Sequence, residues 1–199
     1  TAAMSHFDAL VLGPGLGQAT ASGDLLAALL PAITCPVVID ADALNLIAAR
    51  PTLFDALPRL TVMTPHPGEF ARLAPGIAVD ATVDARVQAA RLFVEQHAVT
   101  LLLKGFQTVI AQADATFALN LSGNAGMATA GSGDVLSGVV GTLLAQRLTP
   151  FDAARLAAFI HGLAGDIAAG HKGLASVTAP DIITYIGAAL RYIQAAAAL

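Results

Sequence analysis

The chain has 199 residues and a formal net charge of −4, and 56% of its residues are hydrophobic while 12% are charged. A chain of this length can bury the core of one domain, and the negative charge without a basic run argues against nucleic acid as a partner. The single cysteine, Cys35, excludes a disulfide framework within the chain.

The apolar composition does not produce a membrane-spanning segment. The longest uncharged apolar stretch, Leu25–Ile39, contains two prolines and is shorter than the roughly 18 to 20 residues that a spanning helix needs. The first residues lack the charged and apolar regions of a secretory signal. We therefore expect no membrane partner, a cytoplasmic location and a single domain over residues 1–199.

Short β-branched runs alternate with longer helical patterns, which is typical of an α/β fold with a mostly parallel sheet and helices on both faces. Strands are predicted at Phe7–Leu12, Pro36–Asp40, Leu60–Thr64, Val99–Leu103, Gln107–Gln112 and Thr116–Leu121, the last two as an antiparallel hairpin. Helices are predicted at Ala21–Leu30, Ala43–Ala49, Pro67–Ala74, Val83–Gln96, Gly133–Gln146, Pro150–Ala169 and Ala179–Ala196. In the helix that begins at Pro150, the apolar face is predicted to consist of Leu156, Phe159, Ile160, Leu163, Ala164 and Ile167.

Polar and glycine-rich residues follow the first two predicted strands, at the sheet edge where ligands bind in such folds. The first strand is followed by Gly-Pro-Gly-Leu-Gly at 13–17, whose glycines either bring backbone amides to a ligand or form a tight turn. Asp40, Asp42 and Asn45 follow the second strand. Asp42 has an alternative role as the N-cap of the next helix.

Single candidates follow the third and fourth strands. His66 lies between two prolines that fix its backbone, which aims the imidazole or serves a structural turn. Lys104 follows an apolar run directly, so its charge reaches solvent or meets an anion, such as a phosphate. The remaining histidines, including His161, show no pairing pattern and are interpreted as surface or packing residues.

The most informative segment leads from a glycine-rich loop into the helix near Gly133. Its glycines permit close approach of a ligand, and the unpaired N–H groups of a helix start bind phosphate. Asp134 lies in the first turn of this helix. A carboxylate beside a bound anion indicates a role with a hydroxyl, a proton or a metal ion, although acids are also favoured in first turns for helix stability.

Five motifs occur together and in order: GPGLG (13–17), VVIDADALN (37–45), TPHPGE (64–69), LLLKG (101–105) with Thr108, and NAGMATAGSGDVLSG (124–138). This combination closely resembles the ADP-dependent NAD(P)H-hydrate dehydratases, a ribokinase-like family often found as the C-terminal half of a bifunctional repair enzyme. The resemblance extends from about Phe7 to about Asp181. It implies an enzyme that returns NAD(P)H hydrate to NAD(P)H, with ADP or ATP as phosphoryl donor and Mg²⁺ at the phosphates.

The resemblance also implies roles for individual residues. It assigns the hydrate substrate to Gly15, Gly17, His66 and Asp134. It assigns the adenine nucleotide to Lys104, Gly105, Phe106, Gln107, Thr108 and Gly133. Asp134 is the expected catalytic residue, which orients and deprotonates the substrate hydroxyl, and no residue is expected to be a direct metal ligand.

Two departures from the family pattern leave alternatives open. Ala125, Ala130 and Ser132 replace the proline, glycine and threonine of the family's NPGMATGGTGD, and family domains begin tens of residues before GPGLG, so the N-terminal portion of the fold is expected to be missing. The alternatives are a ribokinase-like small-molecule kinase and a non-catalytic nucleotide-binding remnant. Because few residues are charged, we also expect a homo-oligomer, such as a tetramer, with the helix at Ala188–Leu199 as a candidate contact.

Overall fold

The computed structural model describes residues 6–197 except Ala81 and Ala115. The strands of this part are β1 (Leu10–Leu12), β2 (Val37–Ile39), β3 (Thr61–Met63), β4 (Thr100–Leu103), β5 (Thr108–Ala111) and β6 (Phe117–Asn120). The α-helices are α1 (Thr20–Leu29), α2 (Ala41–Ala49), α3 (Pro67–Leu73), α4 (Val83–Gln96), α5 (Ser132–Ala145), α6 (Pro150–Lys172) and α7 (Ala179–Ala197).

The strands form one sheet in the order of the chain, from β1 to β6. Strands β1 to β4 are parallel, whereas β5 and β6 are antiparallel to their neighbours. Because consecutive parallel strands advance in one direction, right-handed crossovers place the connecting helices α1 to α4 on a single face. The helices after the hairpin, α5 to α7, cover the other face.

Alternating side chains divide the core into two layers. Ile39 and Met63 point to the layer packed under α1 to α4, while Val38 and Val62 point to the layer packed under α5 to α7. All four side chains are fully buried. Strands covered on both faces are expected to be apolar throughout, which explains why their sequences carry no period-two pattern.

The predicted mostly parallel sheet, the hairpin and the seven predicted helices are confirmed, but the strands are shorter than predicted. The predicted strand from Phe7 becomes β1 only at Leu10, and Phe7 itself is 51% exposed. A strand extends only as far as its neighbour pairs with it, and β2 pairs with three residues of β1. Short 3₁₀ segments at Leu30–Ala32, Pro51–Ala56, Ala125–Met127 and Leu174–Ser176 were not predicted.

The apolar face predicted for α6 is only partly correct. Phe159 is 40% exposed, whereas the fully buried positions of α6 are mainly alanine and glycine. Ile160 and Ala164 of the predicted face are buried as expected, and the many small residues beside them allow α6 to pack against the sheet, α5 and α7 at once. Across residues 6–197, apart from the two undescribed positions, no helix is both long and apolar enough to cross a membrane.

Candidate active site

A cavity of about 700 Å³ lies at the carboxyl ends of β2 to β4 and at the start of α5. It is lined by the predicted site residues His66, Lys104, Gly105, Phe106, Gln107, Thr108, Gly133 and Asp134. Gly15 and Gly17 do not line it. A second cavity, of about 750 Å³, lies between β6 and α6 with mainly apolar walls, and it contains none of the predicted residues. The first cavity is therefore the candidate active site.

The start of α5 presents unpaired backbone groups to the cavity. Gly131 is the N-cap residue and has φ +83°, a left-handed conformation that glycine adopts without strain. Asp134 is exposed in the first turn, and its side chain has no hydrogen-bond or ion-pair partner among the described residues. This terminus combines free N–H groups with an available carboxylate, the combination predicted from the sequence.

Lys104 lies beside this terminus and is held by two buried acids. Its Nζ is 2.8 Å from Asp40 Oδ1 and 3.8 Å from Glu69 Oε2. A Cβ on Gly133 would lie 3.4 Å from the same Nζ, an ordinary contact distance, so the lysine lies directly beside the start of α5. The sequence predicted that the lysine reaches solvent or an anion. In the structure its nearest anions are two carboxylates of the chain itself.

Asp40 joins the lysine to the middle of α5. It is 1% exposed, and its Oδ2 accepts a 2.6 Å hydrogen bond from Ser137 Oγ. Asp40 is also the N-cap residue of α2, but its side chain makes no capping hydrogen bond because it turns toward Lys104 and Ser137. The next residue, Ala41, has φ +51°, a strained value for a residue with a Cβ.

His66 combines a structural role with a position on the cavity wall. Its Nδ1 accepts hydrogen bonds from the N–H groups of Gly68 and Glu69, and Glu69 Oε2 accepts one of 2.8 Å from the N–H of His66. This capping box begins α3 and fixes the ring. The structural interpretation of His66 is confirmed, and the ring remains half exposed at the cavity.

The GPGLG loop is tied to α2. All three glycines have positive φ, and a Cβ on Gly13 would overlap the carbonyl of Asp40. Asp42 accepts hydrogen bonds of 2.8 Å from the N–H of Gly17 and from Gln18 Nε2. The alternative of Asp42 as an N-cap is therefore wrong: it lies inside the first turn of α2, where its side chain reaches across to the loop.

Residues 104–108, named here the lysine loop, rest on a buried arginine of α4. Arg86 is 4% exposed and donates to the carbonyl oxygens of Leu103 at 3.0 Å, Lys104 at 3.3 Å and Phe106. Burial lowers the pKa of Arg86 below its usual range. The loop contains two further positive-φ residues, Gly105 at +144° and Gln107 at +56°.

Residues 121–131, named here the glycine-rich loop, are anchored to α6. Asp166 accepts 2.9 Å hydrogen bonds from the N–H of Gly123 and from Asn124 Nδ2. A Cβ on Gly162 would overlap Ser122, so the glycine permits the close approach of loop and helix. These contacts hold the loop in position to form one wall of the cavity.

His161 was interpreted from the sequence as a surface or packing residue; its burial fits the packing interpretation, but the ring also forms part of the site wall, which the sequence did not indicate. It is 9% exposed, it lines the cavity, and its Nε2 lies 3.3 Å from Ser132 Oγ. Burial lowers the pKa of His161 to about 4, with a smaller effect from the charge of Lys104. The ring is therefore neutral at pH 7 and able to hydrogen-bond with Ser132.

Sequence reasoning missed three residues that shape the site: Arg86, His161 and Asp166. Arg86 gave a signal, because it occupies the buried face of a helix where an arginine is rare. Asp166 gave a similar signal as an acid within the apolar α6. Arg86 and Asp166 each bind a loop residue more than 15 positions away in the chain, so local sequence patterns do not indicate these hydrogen bonds.

Comparisons with known proteins agree with this geometry. Residues 1–188 match the family described as NAD(P)H-hydrate dehydratase. The chain is 42% identical over 191 residues to the bifunctional NAD(P)H-hydrate repair enzyme Nnr of Moorella thermoacetica, covering 96% of this chain and 36% of that protein. It is 42% identical over 173 residues to the ADP-dependent (S)-NAD(P)H-hydrate dehydratase of Neisseria meningitidis, covering 85% and 58%.

Solved structures show the same fold. The ADP/ATP-dependent NAD(P)H-hydrate dehydratase of Bacillus subtilis, co-crystallized with ATP/Mg²⁺, superimposes with a TM-score of 0.80 at 30% identity over 93% of this chain and 64% of that one. A ribokinase from Thermotoga maritima superimposes with a TM-score of 0.57 at 17% identity, which shows the fold alone and confirms the predicted ribokinase-like class.

The chain spans about a third of the bifunctional relative and under two thirds of the other relatives described above. The family match covers residues 1–188. This range contains the cavity at the sheet edge, together with the glycine-rich loop and the start of α5 that line it. The chain therefore belongs to the NAD(P)H-hydrate dehydratase family.

Proposed function

We propose that the chain carries out the ADP-dependent dehydration of NAD(P)H hydrate. The observation that carries the proposal is Asp134, an exposed carboxylate without a partner among the described residues, beside the free N–H groups of the α5 terminus. A phosphate is attracted to such a terminus, and a carboxylate there orients and deprotonates the hydroxyl that attacks the phosphate. The names of the family relatives supply the substrate and the nucleotide.

The reaction couples phosphoryl transfer to elimination. Asp134 accepts the proton of the ring hydroxyl, whose oxygen then attacks the terminal phosphorus of ADP and releases AMP. The phosphate ester is a better leaving group than hydroxide. The ring nitrogen donates its electron pair, the C–O bond breaks, orthophosphate leaves, and loss of a proton from the adjacent carbon restores the double bond of NAD(P)H.

Backbone amides and charges supply the remaining stabilisation. The N–H groups near Gly133 face negative charge on the transferring phosphoryl group, and Lys104 lies close to them. We propose that the lysine loop holds the nucleotide and that His66, Gly15 and Gly17 serve the hydrate. The two glycines lie outside the cavity of the described chain, so their role depends on the extent of the bound substrate.

Mg²⁺ fits this site as a companion of the nucleotide. No group of three or more candidate ligands occurs among the described residues, and Asp40 and Glu69 are both near Lys104. Mg²⁺ commonly binds substrate phosphates and water with one or two carboxylates, and Asp134 is the cavity carboxylate without a partner in the described chain. When bound, the ion neutralises charge on the phosphates.

Assembly and location remain predictions. The described part of α7 exposes Ile183 at 57%, Leu190 at 41% and Tyr192 at 62%, which supports the proposal of a homo-oligomer that contacts through this helix. The predicted contact also included 198–199, which lie outside the described residues. We propose the cytoplasm as the location because the nucleotide substrates are soluble metabolites.

Asp134→Asn tests the proposal. The variant keeps the size of the side chain but removes the proton acceptor, so turnover of NAD(P)H hydrate should fall by about a hundredfold or more. ADP affinity should persist, because the loss of a negative charge beside the phosphates does not weaken their binding. Glu95→Gln in α4, an exposed acid outside the cavity, is the matched control and should keep full turnover.

Two results would contradict the proposal. Undiminished turnover in Asp134→Asn would assign proton transfer to another group. A stable phosphorylated product that forms without recovery of NAD(P)H would instead favour the small-molecule kinase.

A further inference from the structure

Arg86 is a buried cation without a carboxylate partner among the described residues. The residue is 4% exposed, it takes part in none of the ion pairs of the described chain, and its Nε has no hydrogen-bond partner there. Burial of an unpaired charge is strongly unfavourable. In the described chain its charge is compensated by carbonyl dipoles at the end of β4 and in the lysine loop.

The hydrogen bonds to Arg86 determine the orientation of the loop amides. A trans peptide plane carries its C=O and its N–H on opposite sides. Because the carbonyls of Lys104 and Phe106 point to the guanidinium, the N–H groups of Gly105 and Gln107 point away from it. Neither N–H has a backbone partner among the described residues, and both residues line the cavity.

The backbone of the lysine loop is adapted to this arrangement. Gln107 has φ +56°, which is strained for a residue with a side chain, and a Cβ on Gly105 would lie 3.0 Å from Arg86 Nη2. Hydrogen bonding of a carbonyl to a cation also polarises the peptide group, so the N–H on its far side becomes a stronger donor.

We infer that Arg86 is a positioning residue for the nucleotide phosphates. It turns the N–H groups of Gly105 and Gln107 toward the cavity and adds a positive charge behind them, so that a diphosphate binds to the lysine loop. The inference rests on the proposed function, because it assigns the ligand of this loop as the phosphates of the adenine nucleotide. Arg86 acts through the backbone and does not touch the nucleotide itself.

Calorimetry with ADP and with adenosine separates this role from a structural one. Arg86→Met should weaken ADP binding at least about tenfold, the effect of losing a charge-assisted donor set. Adenosine binding should stay within about twofold of the wild type, since adenosine has no phosphate to contact the loop. Arg86→Lys keeps the charge but lacks the planar fork for separate carbonyls, and an intermediate loss of ADP affinity is expected.

Arg91→Met is the matched control. Arg91 lies in the same helix, but its guanidinium stacks over the ring of Phe117 at 5.5 Å rather than contacting the loop. This variant should leave both affinities unchanged. Unchanged ADP affinity in folded Arg86→Met, or an equal loss for ADP and adenosine, would overturn the inference. If the wild type itself binds no ADP, the proposed function fails first, and the two failures are therefore distinguishable.

A measurement on the wild type covers the case in which the Arg86 variants do not fold. The amide resonances of Gly105 and Gln107 should shift in nuclear magnetic resonance spectra on addition of ADP and remain in place on addition of adenosine. If ADP binds and neither resonance moves, Arg86 does not direct these amides to the phosphates.

Discussion

Two cations with little solvent exposure flank the lysine loop, and they are compensated in different ways. Lys104 is paired with Asp40 at 2.8 Å and lies 3.8 Å from Glu69. Arg86 contacts backbone carbonyls and has no carboxylate partner in the described chain. The charge of Lys104 is thus largely neutralised inside the protein, whereas the charge of Arg86 remains available to an incoming anion.

This difference separates a cation that joins neighbouring strands through carboxylates from a cation that positions a loop through its backbone. Lys104 links β2, β4 and, through Asp40 and Ser137, α5, so it fixes the geometry around Gly133. Arg86 contacts the end of β4 and the lysine loop that follows it. The contrast predicts that loss of the lysine affects stability most and loss of the arginine affects nucleotide affinity most.

The largest expected effect on stability is that of Lys104→Met. The variant leaves the carboxylate of Asp40, which is 1% exposed, without its cation, and breaking such a pair costs about 3–5 kcal/mol. Arg86→Met should cost less, about 1.5–3 kcal/mol, because it removes hydrogen bonds to carbonyls without leaving an opposite charge unpaired. Urea unfolding without nucleotide measures both free energies of unfolding.

The double variant Lys104→Met with Asp40→Asn is the control for this comparison. It removes the unpaired carboxylate, so it should recover part of the lost free energy of unfolding. The contrast between the two cations is incorrect if Lys104→Met costs no more than Arg86→Met.

A smaller effect is expected from His161 as the pH falls. Its pKa is about 4 in the folded chain, against an ordinary value of 6.5, because burial and the charge of Lys104 disfavour the imidazolium. Between these values the unfolded chain binds a proton that the folded chain does not. Stability therefore falls as the pH decreases from 6.5 to 4, by up to roughly 3 kcal/mol, and no loss from this group occurs above that window.

His161→Gln isolates this contribution, because glutamine keeps a hydrogen-bonding group near Ser132 but does not titrate. The difference in free energy of unfolding between wild type and variant should shrink across the window as the pH falls. In the Lys104→Met background the change should be smaller, since one cause of the lowered pKa is gone. Parallel pH profiles for wild type and His161→Gln would show that the ring does not titrate as described.

The smallest effect is expected at Ala41, which connects Asp40 to α2. Its φ of +51° costs roughly 1–2 kcal/mol for a residue with a Cβ, and glycine removes this strain. Glycine also stabilises the unfolded chain by about 0.4–1 kcal/mol through its larger conformational entropy, which offsets part of the gain. Ala41→Gly should thus raise the free energy of unfolding by up to about 1 kcal/mol. Ala43→Gly, at a helical and fully buried position, is the control and should lower it. A loss of stability in Ala41→Gly would indicate that the strain is not present.

The sequence predicts the elements of this fold better than their contacts. Apolar runs and helical periodicity place the six strands and seven helices, because burial on both faces dictates composition directly. The positions of Lys104, Gly133 and Asp134 at one edge follow from the parallel order of the strands.

The remaining contacts depend on tertiary geometry that local patterns do not contain. The pairing of Arg86 with the lysine loop and of Asp166 with the glycine-rich loop joins segments distant in the chain. The exposed position of Phe159 depends on the cavity between β6 and α6, which it lines. Asp42 illustrates the same limit, because a helix-start acid can cap its own helix or reach a neighbouring loop, and only the positions of both segments decide.

The most direct test of the central claim is the conversion of NAD(P)H hydrate by the purified chain with ADP and Mg²⁺. The near-ultraviolet absorbance of the dihydronicotinamide reports the recovery of NAD(P)H, and AMP and orthophosphate are quantified in the same sample. We predict that absorbance rises only when hydrate and ADP are both present, and that AMP, orthophosphate and NAD(P)H form in equal amounts. A folded chain that binds ADP but produces no rise in absorbance would contradict the claim.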